Sequence, residues 1–141
     1  MKNNKKGFTL VELLAVIVIL AVVILIAVTA VIPRMNKAKR KAFDDEALAY
    51  IKAAEEYVVA ENDGIWPAKV DLSTLNGTYI EVKNGKTYTG CVKQVSNVTK
   101  IWITDGATVA AAKYEILGKS ASEIQSSGAV DAATGLGTNC N

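Results

Sequence analysis

The sequence of 141 residues contains no histidine, two cysteines and two prolines. Histidine is the commonest general base and metal ligand, so its absence argues against enzymatic and metal chemistry. Two cysteines alone do not complete a zinc site. No nucleophile motif, glycine-rich phosphate loop or catalytic carboxylate pair is present either. The sequence therefore predicts a protein that is not an enzyme and that holds no cofactor and no metal ion.

Charged residues and glycine are absent from residues 13–32, where Thr29 is the only polar residue. A helix of this length spans about 30 Å, which is the thickness of the hydrocarbon core of a bilayer. The remaining 109 residues after Ile32 are enough for one compact domain with a small core. The sequence thus predicts a single membrane span and excludes a polytopic transporter and a multidomain enzyme.

The net charge of +2 conceals three blocks of different sign. Residues 1–7 carry three lysines and no acid. Residues 42–141 carry eight lysines against thirteen acids, a net charge of −5. Between them, residues 34–41 carry five cations and no acid, and we name this block the basic neck: Arg34, Lys37, Lys39, Arg40 and Lys41.

A basic neck beside an apolar span favours contact with the anionic headgroups of membrane lipid. Five cations in eight residues also form an electrostatic footprint for nucleic acid, which is the alternative partner for this block. No aromatic residues are interleaved with these cations, and the chain beyond them is acidic. By the positive-inside rule alone, the basic neck would lie in the cytoplasm.

The basic tip followed by an apolar run also resembles a secretory signal peptide. The apolar core of such peptides has about 7 to 15 residues, and the run here is longer. Residues 28–30, Val-Thr-Ala, nevertheless form a small-residue cleavage site. A secreted domain that begins at Val31, or a lone anchored binding domain, therefore stays open as an alternative.

Glu12 is an isolated carboxylate at the edge of the apolar run. A charged residue costs about 2.5 to 3.5 kcal/mol at the centre of a span and less near its end, so Glu12 either reaches headgroup water or has a functional partner. If the peptide bond after Gly7 were cut, the new α-amine of Phe8 would lie on the same helical face as Glu12. Between two chains, this pairing would fix the axial register of assembly.

Residues 7–12, Gly-Phe-Thr-Leu-Val-Glu, resemble the class III leader of type IV pilins and pseudopilins. The resemblance implies that a prepilin peptidase removes residues 1–7 by cutting between Gly7 and Phe8, and that Phe8 is then N-methylated. It also implies that Glu12 guides assembly with identical or homologous subunits on an inner-membrane platform. Residues 34–141 would lie outside the cytoplasm, first on a single-pass protein of the cytoplasmic membrane and then on a cell-surface filament.

The same resemblance leaves the kind of filament open. A structural subunit of a type IV pilus is the first expectation. A pseudopilin of a type II secretion system or of a competence system for DNA uptake is the alternative, because both classes share the leader motif.

Residues 8–62 contain no glycine and one proline, which predicts a single long helix. Residues 8–32 form its apolar membrane and assembly half, and residues 33–62 its amphipathic continuation. Asn62-Asp63-Gly64 gives a stop, and Pro33 predicts a kink or a local break. Apolar residues of the continuation recur at three- and four-residue spacing: Phe43, Ala47, Tyr50, Ile51, Ala54, Tyr57 and Val58.

Residues 63–141 predict a β-rich head, so that the fold class is α+β and pilin-like, with the long helix packed against a small antiparallel sheet. The expected strands are 78–83, 86–95, 98–104 and 107–116. Asn84-Gly85 and Asp105-Gly106 are the expected hairpin turns.

Cys91 and Cys140 are an even pair in a setting that the leader places in an oxidising compartment. A disulfide between them would close a loop of about 50 residues and stabilise the head by about 4 kcal/mol in the chain-entropy model. Residues 117–141 are rich in small polar residues and would fray without such a link. A disulfide near the C-terminus also resembles the bounded variable loop of many type IV pilins.

Overall fold

A computed structural model of the chain describes residues 7–82, 85–106, 112–132 and 140. The described part divides into two compact units between Ala38 and Lys39. The helices and strands are, in chain order, α1 (Leu10–Glu61), β1 (Val70–Asp71), α2 (Leu72–Leu75), β2 (Thr89–Val95), β3 (Val98–Thr104), β4 (Tyr114–Lys119), α3 (Ala121–Ser127) and β5 (Val130–Asp131).

The first unit is the apolar part of α1. One helix of the described residues is long and apolar enough to cross a membrane, and none of its most apolar window is buried inside the chain. Its aliphatic side chains, such as Leu25 and Ile26, are exposed all around the helix. A helix that is apolar on every side needs lipid or other helices around it. The helix is continuous through Pro33, and a kink there stays a prediction.

In the second unit, α1 buries its predicted apolar stripe against the sheet. Six of the seven predicted positions are buried and Tyr57 is half-buried. Burial of each large apolar side chain stabilises the fold by about 1.5 to 3 kcal/mol. The sheet contributes Val92, Ile101, Ile103 and Ile116 to the same core, and α3 contributes Ile124.

The helix ends as the sequence predicts. Asp63 and Gly64 follow its last residue with φ values of 50° and 79°, which are left-handed backbone conformations. The Gly64 amide donates back to the carbonyl of Val58 at 3.0 Å. Glycine is favoured at such a position because it has no Cβ to clash.

The sheet has five antiparallel strands whose spatial order is their chain order. Its centre is the β2–β3 hairpin, paired from Thr89 with Thr104 to Val95 with Val98. Successive residues of a strand point to opposite faces, so Val92 lies in the core beneath α1 while Cys91 lies on the other face. The predicted α+β fold class, with a long helix on a small antiparallel sheet, is confirmed.

The hairpin turn between β2 and β3 is formed by Ser96 and Asn97. Both have positive φ, 52° and 62°, which is the pattern of a type I′ turn. The prediction for β3 is confirmed at both ends, whereas β2 begins at Thr89, three residues later than predicted. Of the two predicted turns, Asn84 lies outside the described residues, and Asp105-Gly106 is a bend that leads into a longer connection.

The strand predicted at 78–83 is wrong for its described residues. Residues 77–79 form a turn after α2, in which the amides of Tyr79 and Ile80 both donate to the Leu75 carbonyl, at 3.0 and 3.1 Å. The Tyr79 ring meets the Tyr57 ring edge-on, with centroids 5.5 Å apart. These β-forming side chains therefore cover α1 instead of extending the sheet.

The strand predicted at 107–116 is displaced towards the C-terminus. Residues 107–111 lie outside the described part, and β4 runs from Tyr114 to Lys119. The Asp105 carboxylate fixes the start of β4, because it accepts hydrogen bonds from the amides of Lys113 and Tyr114 at 2.7 and 2.6 Å. A side-chain contact of this kind sets where the strand begins, and residue propensities do not report it.

Residues 117–132 are more ordered by secondary structure than the sequence predicts. Helix α3 begins with a reciprocal capping box, in which Ser120 accepts from the Glu123 amide and Glu123 accepts from the Ser120 amide. Short strand β5 then pairs with β4. Asp44 on α1 holds the connection between α3 and β5, since its Oδ1 accepts from the Ala129 amide at 2.6 Å.

Candidate assembly motif at the N-terminus

The first turn of α1 is closed by a reciprocal pair of contacts between Thr9 and Glu12. The Thr9 amide donates to Glu12 Oε2 at 2.8 Å, and the Thr9 hydroxyl donates to the same oxygen at 2.9 Å. The Glu12 amide lies 3.3 Å from the Thr9 hydroxyl oxygen and donates to it. This is a capping box with Thr9 as the N-cap. The uncut chain therefore provides Glu12 with a partner of its own.

This partner is one that the sequence reasoning above misses. The Thr-x-x-Glu spacing of residues 9–12 is a helix-start signature, and it would have identified the contact. The role of Glu12 in assembly and its pairing with a Phe8 amine stay predictions, because Phe8 carries no free amine in the uncut chain.

Gly7 and Phe8 lie just before the helix and are open to a partner. The side chain of Phe8 is 83% exposed, which is unusual for a large aromatic residue. A Cβ atom built on Gly7 meets no described atom within 4 Å, and its backbone is not in the left-handed region. Nothing in the described fold therefore requires glycine at position 7.

The two cysteines are joined in a disulfide, as predicted. Their Cα atoms are 5.9 Å apart and 49 positions separate them in the sequence. On this face of the sheet, away from α1, Cys91 and Trp102 are buried and Leu117 and Cys140 pack against them. Gly118 has a φ of 62°, and a Cβ there would come within 2.9 Å of the Trp102 ring. The disulfide thus attaches the C-terminus to a small second core.

A group of charged contacts also links α1 to the C-terminal segment within the second unit. Arg40 donates to Asp131 Oδ2 at 2.7 Å. Burial raises the pKa of Asp44, and the hydrogen bond from the Ala129 amide opposes this rise. A Cβ on Gly128 would lie 2.6 Å from an Asp44 carboxylate oxygen, so the chain passes too close for a larger residue.

The cations of the basic neck differ in their surroundings. Arg40 has the ion pair just described, and its guanidinium lies 6.0 Å from the centre of the Tyr114 ring. The other four cations of the neck are exposed and have no ion-pair partner among the described residues.

Three aspartates of the head, Asp71, Asp105 and Asp131, have separate roles in the described part of the chain. Asp71 Oδ1 lies 3.4 Å from Lys69 Nζ, and the Asp131 carboxylate pairs with Arg40. The Asp105 carboxylate fixes the start of β4. Among the described residues, no group of three or more acids, cysteines or histidines is arranged to hold a metal ion. Together, the residues of this subsection cap helices, pack side chains into the cores and form the covalent link between the two cysteines.

These features define a class of protein with an exposed apolar helix, an accessible N-terminal junction and a small disulfide-linked head. A comparison with family models identifies the N-terminal segment more closely. Residues 2–28 match the family model described as the prokaryotic N-terminal methylation motif. Neither the curated proteins nor the solved structures compared with the chain gave a significant match.

The matched segment is the class III prepilin leader of type IV pilins and pseudopilins. The motif supports a pilin- or pseudopilin-type protein with a structural role. The leader implies processing by a prepilin peptidase and assembly with other pilin subunits. The apolar helix and the leader together are consistent with a membrane-anchored protein that later enters a surface filament.

Proposed function

We propose that the chain is a structural, non-enzymatic subunit of a type IV pilus or a pilus-like filament. The observation that carries this proposal is the match of residues 2–28 to the N-terminal methylation motif, directly followed by a helix that is apolar on every side. Lateral packing of such helices from many subunits buries their aliphatic side chains once they leave the lipid.

In this proposal, a prepilin peptidase cuts between Gly7 and Phe8 and the new Phe8 amine is methylated. The exposure of both residues supports this step, because an enzyme needs to reach them. Mature subunits then assemble on an inner-membrane platform. Glu12 pairs with the N-terminal amine of a neighbouring subunit and so favours insertion in one axial register.

The proposed topology has residues 1–7 in the cytoplasm and the head outside. The positive-inside rule applied to the basic neck gives the opposite orientation. We give the leader more weight, because the peptidase of this family acts on the cytoplasmic side and needs Gly7 there. The disulfide supports the same orientation, since disulfides persist in oxidising compartments outside the cytoplasm.

Two alternatives have different consequences. A pseudopilin of a secretion or competence system would share the leader and the helix but would form short filaments within the cell envelope. In the competence case, the exposed cations of the basic neck would contact DNA. A lone anchored or secreted binding domain would form no filament.

The test is electron microscopy of material sheared from cells that produce the full chain, labelled with antibody against residues 112–132. Long labelled filaments that are absent from a strain without the gene support a pilus subunit. Labelled protein confined to membranes, with a processed N-terminus, supports a pseudopilin. An unprocessed or Val31-terminated protein contradicts both.

A further inference from the structure

A groove on the surface of the second unit combines an apolar floor with an acidic rim. It has a volume of about 400 Å³ and lies between α1 and the segment after α2. We name it the acidic groove, and its lining residues are Ala42, Asp45, Glu46, Ala49, Ile80 and Glu81. The two alanines keep its floor shallow, so another chain can approach the backbone of α1 closely.

The three carboxylates of the acidic groove have no ion-pair or hydrogen-bond partner among the described residues. Asp131, Asp71 and Glu123, by contrast, each have an ion-pair partner. Lys41 lies one helical turn before Asp45, yet the two side chains form no ion pair within 4.0 Å. Three carboxylates close together repel one another unless a cation lies between them.

The shape and chemistry of the acidic groove fit long cationic side chains. Lysine and arginine have apolar stems that cover aliphatic surface while their charged ends stay at a polar rim. Ile80 and the two alanines match such stems, and Asp45, Glu46 and Glu81 match the charged ends. The groove therefore favours a basic peptide segment over an uncharged ligand.

The same chain supplies a segment of this kind. The basic neck carries four exposed cations without an ion-pair partner in the described part of the chain: Arg34, Lys37, Lys39 and Lys41. Arg40, the fifth cation, already pairs with a head carboxylate, Asp131. Copies that stand side by side and shifted along their helices bring the neck of one copy towards the α1 surface of another.

We propose that the acidic groove of one copy receives the basic neck of a second copy, with Lys37 and Lys41, which lie one turn apart on one face of α1, as the principal cations. This inference rests on the proposed filament function and adds a contact outside the apolar helices. The pairing selects among axial offsets, since an offset that places neck beside neck or groove beside groove brings like charges together. Complementary charge of this kind sets register and partner choice more than affinity.

The test is a charge swap in the full chain, read as the amount of subunit in sheared filaments. The neck variant is Lys37→Glu with Lys41→Glu, the groove variant is Asp45→Lys with Glu81→Lys, and the swap carries all four changes. Each single-sided variant is expected to lower the filament yield at least about fivefold, and the swap to restore it to within about twofold of wild type. Glu55→Lys with Glu56→Lys makes the same charge change on α1 outside the groove and is expected to leave the yield unchanged.

Folding is checked separately from assembly. Each variant is examined for the Phe8 terminus by mass spectrometry and for the disulfide by thiol alkylation, and both are expected to match wild type. Carbodiimide treatment of wild-type filaments provides a second measurement that needs no variant. It is expected to join the Lys37 or Lys41 amine to Asp45, Glu46 or Glu81, and mixed isotope labelling is expected to show that the link is between chains.

Several outcomes overturn the inference. If the neck variant loses filaments and the groove variant does not, the neck contacts lipid headgroups instead of the acidic groove. Loss in both without restoration by the swap, or no loss in either, also contradicts the pairing. If wild-type cells yield no filaments, the proposed function fails and the inference falls with it.

Discussion

The amide and the hydroxyl of Thr9 both donate to the same carboxylate oxygen of Glu12, at 2.8 and 2.9 Å. The acid at the edge of the apolar run thus has an intrachain role before any subunit meets another. Cleavage after Gly7 would place a new amine next to this cap. The same carboxylate would then serve two functions, one in starting the helix and one in assembly.

The two functions of Glu12 are separable by mutation. Thr9→Val removes a cap contact that stabilises a helix start by about 1 kcal/mol and leaves the Glu12 charge in place, so we expect filament yield to fall less than about threefold. Glu12→Ala removes the charge as well, and we expect a processed, membrane-located protein with a yield at least about tenfold lower. Thr9→Ser keeps the cap and is the matched control. If Thr9→Val and Glu12→Ala lowered the filament yield equally, the role of Glu12 would be limited to capping the helix.

Gly7 is predicted to matter for processing and not for folding. A Cβ at this position meets no described atom within 4 Å. We therefore expect Gly7→Val to leave the helix content and thermal unfolding of the detergent-purified chain unchanged while it blocks the cut before Phe8. Intact-mass measurement decides between the two forms, which differ by residues 1–7. A Gly7→Val protein that still matures to Phe8 would show that the leader is processed by another route.

The disulfide is predicted to provide much of the stability of the head. Replacing Cys91 and Cys140 with alanine removes a link across 49 positions, which the chain-entropy model values at about 4 kcal/mol. Guanidinium unfolding of the full chain in detergent measures the loss through the fluorescence of Trp102, which is 8% exposed beside Cys91. The reduced and alkylated wild type is the control and is expected to match the double variant. An unchanged midpoint would show that the second core holds the C-terminus without the bond.

Two buried tyrosines predict a loss of stability in alkaline solution. Burial, aided by the negative charge of Glu46, raises the pKa of Tyr50 and that of Tyr88 to about 12. In the unfolded chain both tyrosines ionise at about pH 10. Between about pH 10 and about pH 12, the unfolded state therefore binds fewer protons than the native state. The free energy of unfolding therefore falls as the pH rises from about 10 to about 12.

Absorbance of tyrosinate in a pH titration of the native protein measures this effect directly. We expect Tyr50 and Tyr88 to ionise at about pH 12, later than ordinary tyrosine. Tyr88→Phe removes one late-ionising group without loss of a hydrogen bond, because the Tyr88 hydroxyl has no partner among the described residues. Five tyrosines that titrate together near about pH 10 would contradict the burial of both rings.

Helix α1 and the face that it packs against the sheet can be predicted from the sequence, because the spacing of apolar residues determines both. Six of the seven residues of the predicted stripe of α1 are buried and Tyr57 is half-buried, whereas the buried Ala53 was not predicted. The stop before Gly64 followed from backbone chemistry. The β2–β3 hairpin was also predictable, since β-forming residues surround it. Its turn at Ser96 and Asn97 was not anticipated, although asparagine tolerates the left-handed backbone that the turn needs.

The rest of the head depends on contacts between distant residues, which a local pattern does not contain. The position of β4 depends on Asp105, which fixes its first amides, and the ordering of residues 128–131 depends on Asp44 and Arg40 of α1. Tyr79 has strand propensity but packs on Tyr57 instead. At the N-terminus, the leader motif indicated the processing site. The spacing of Thr9 and Glu12 indicates a capping box, but this contact was not predicted.

The central claim is that the chain matures at Phe8 and enters a filament, and N-terminal peptide mapping by mass spectrometry tests it most directly. The measurement compares cell membranes with material sheared from the cell surface. We predict a methylated Phe8 terminus in the membranes and the same terminus enriched in the sheared material. A terminus at Met1 or at Val31 in both fractions would contradict the account.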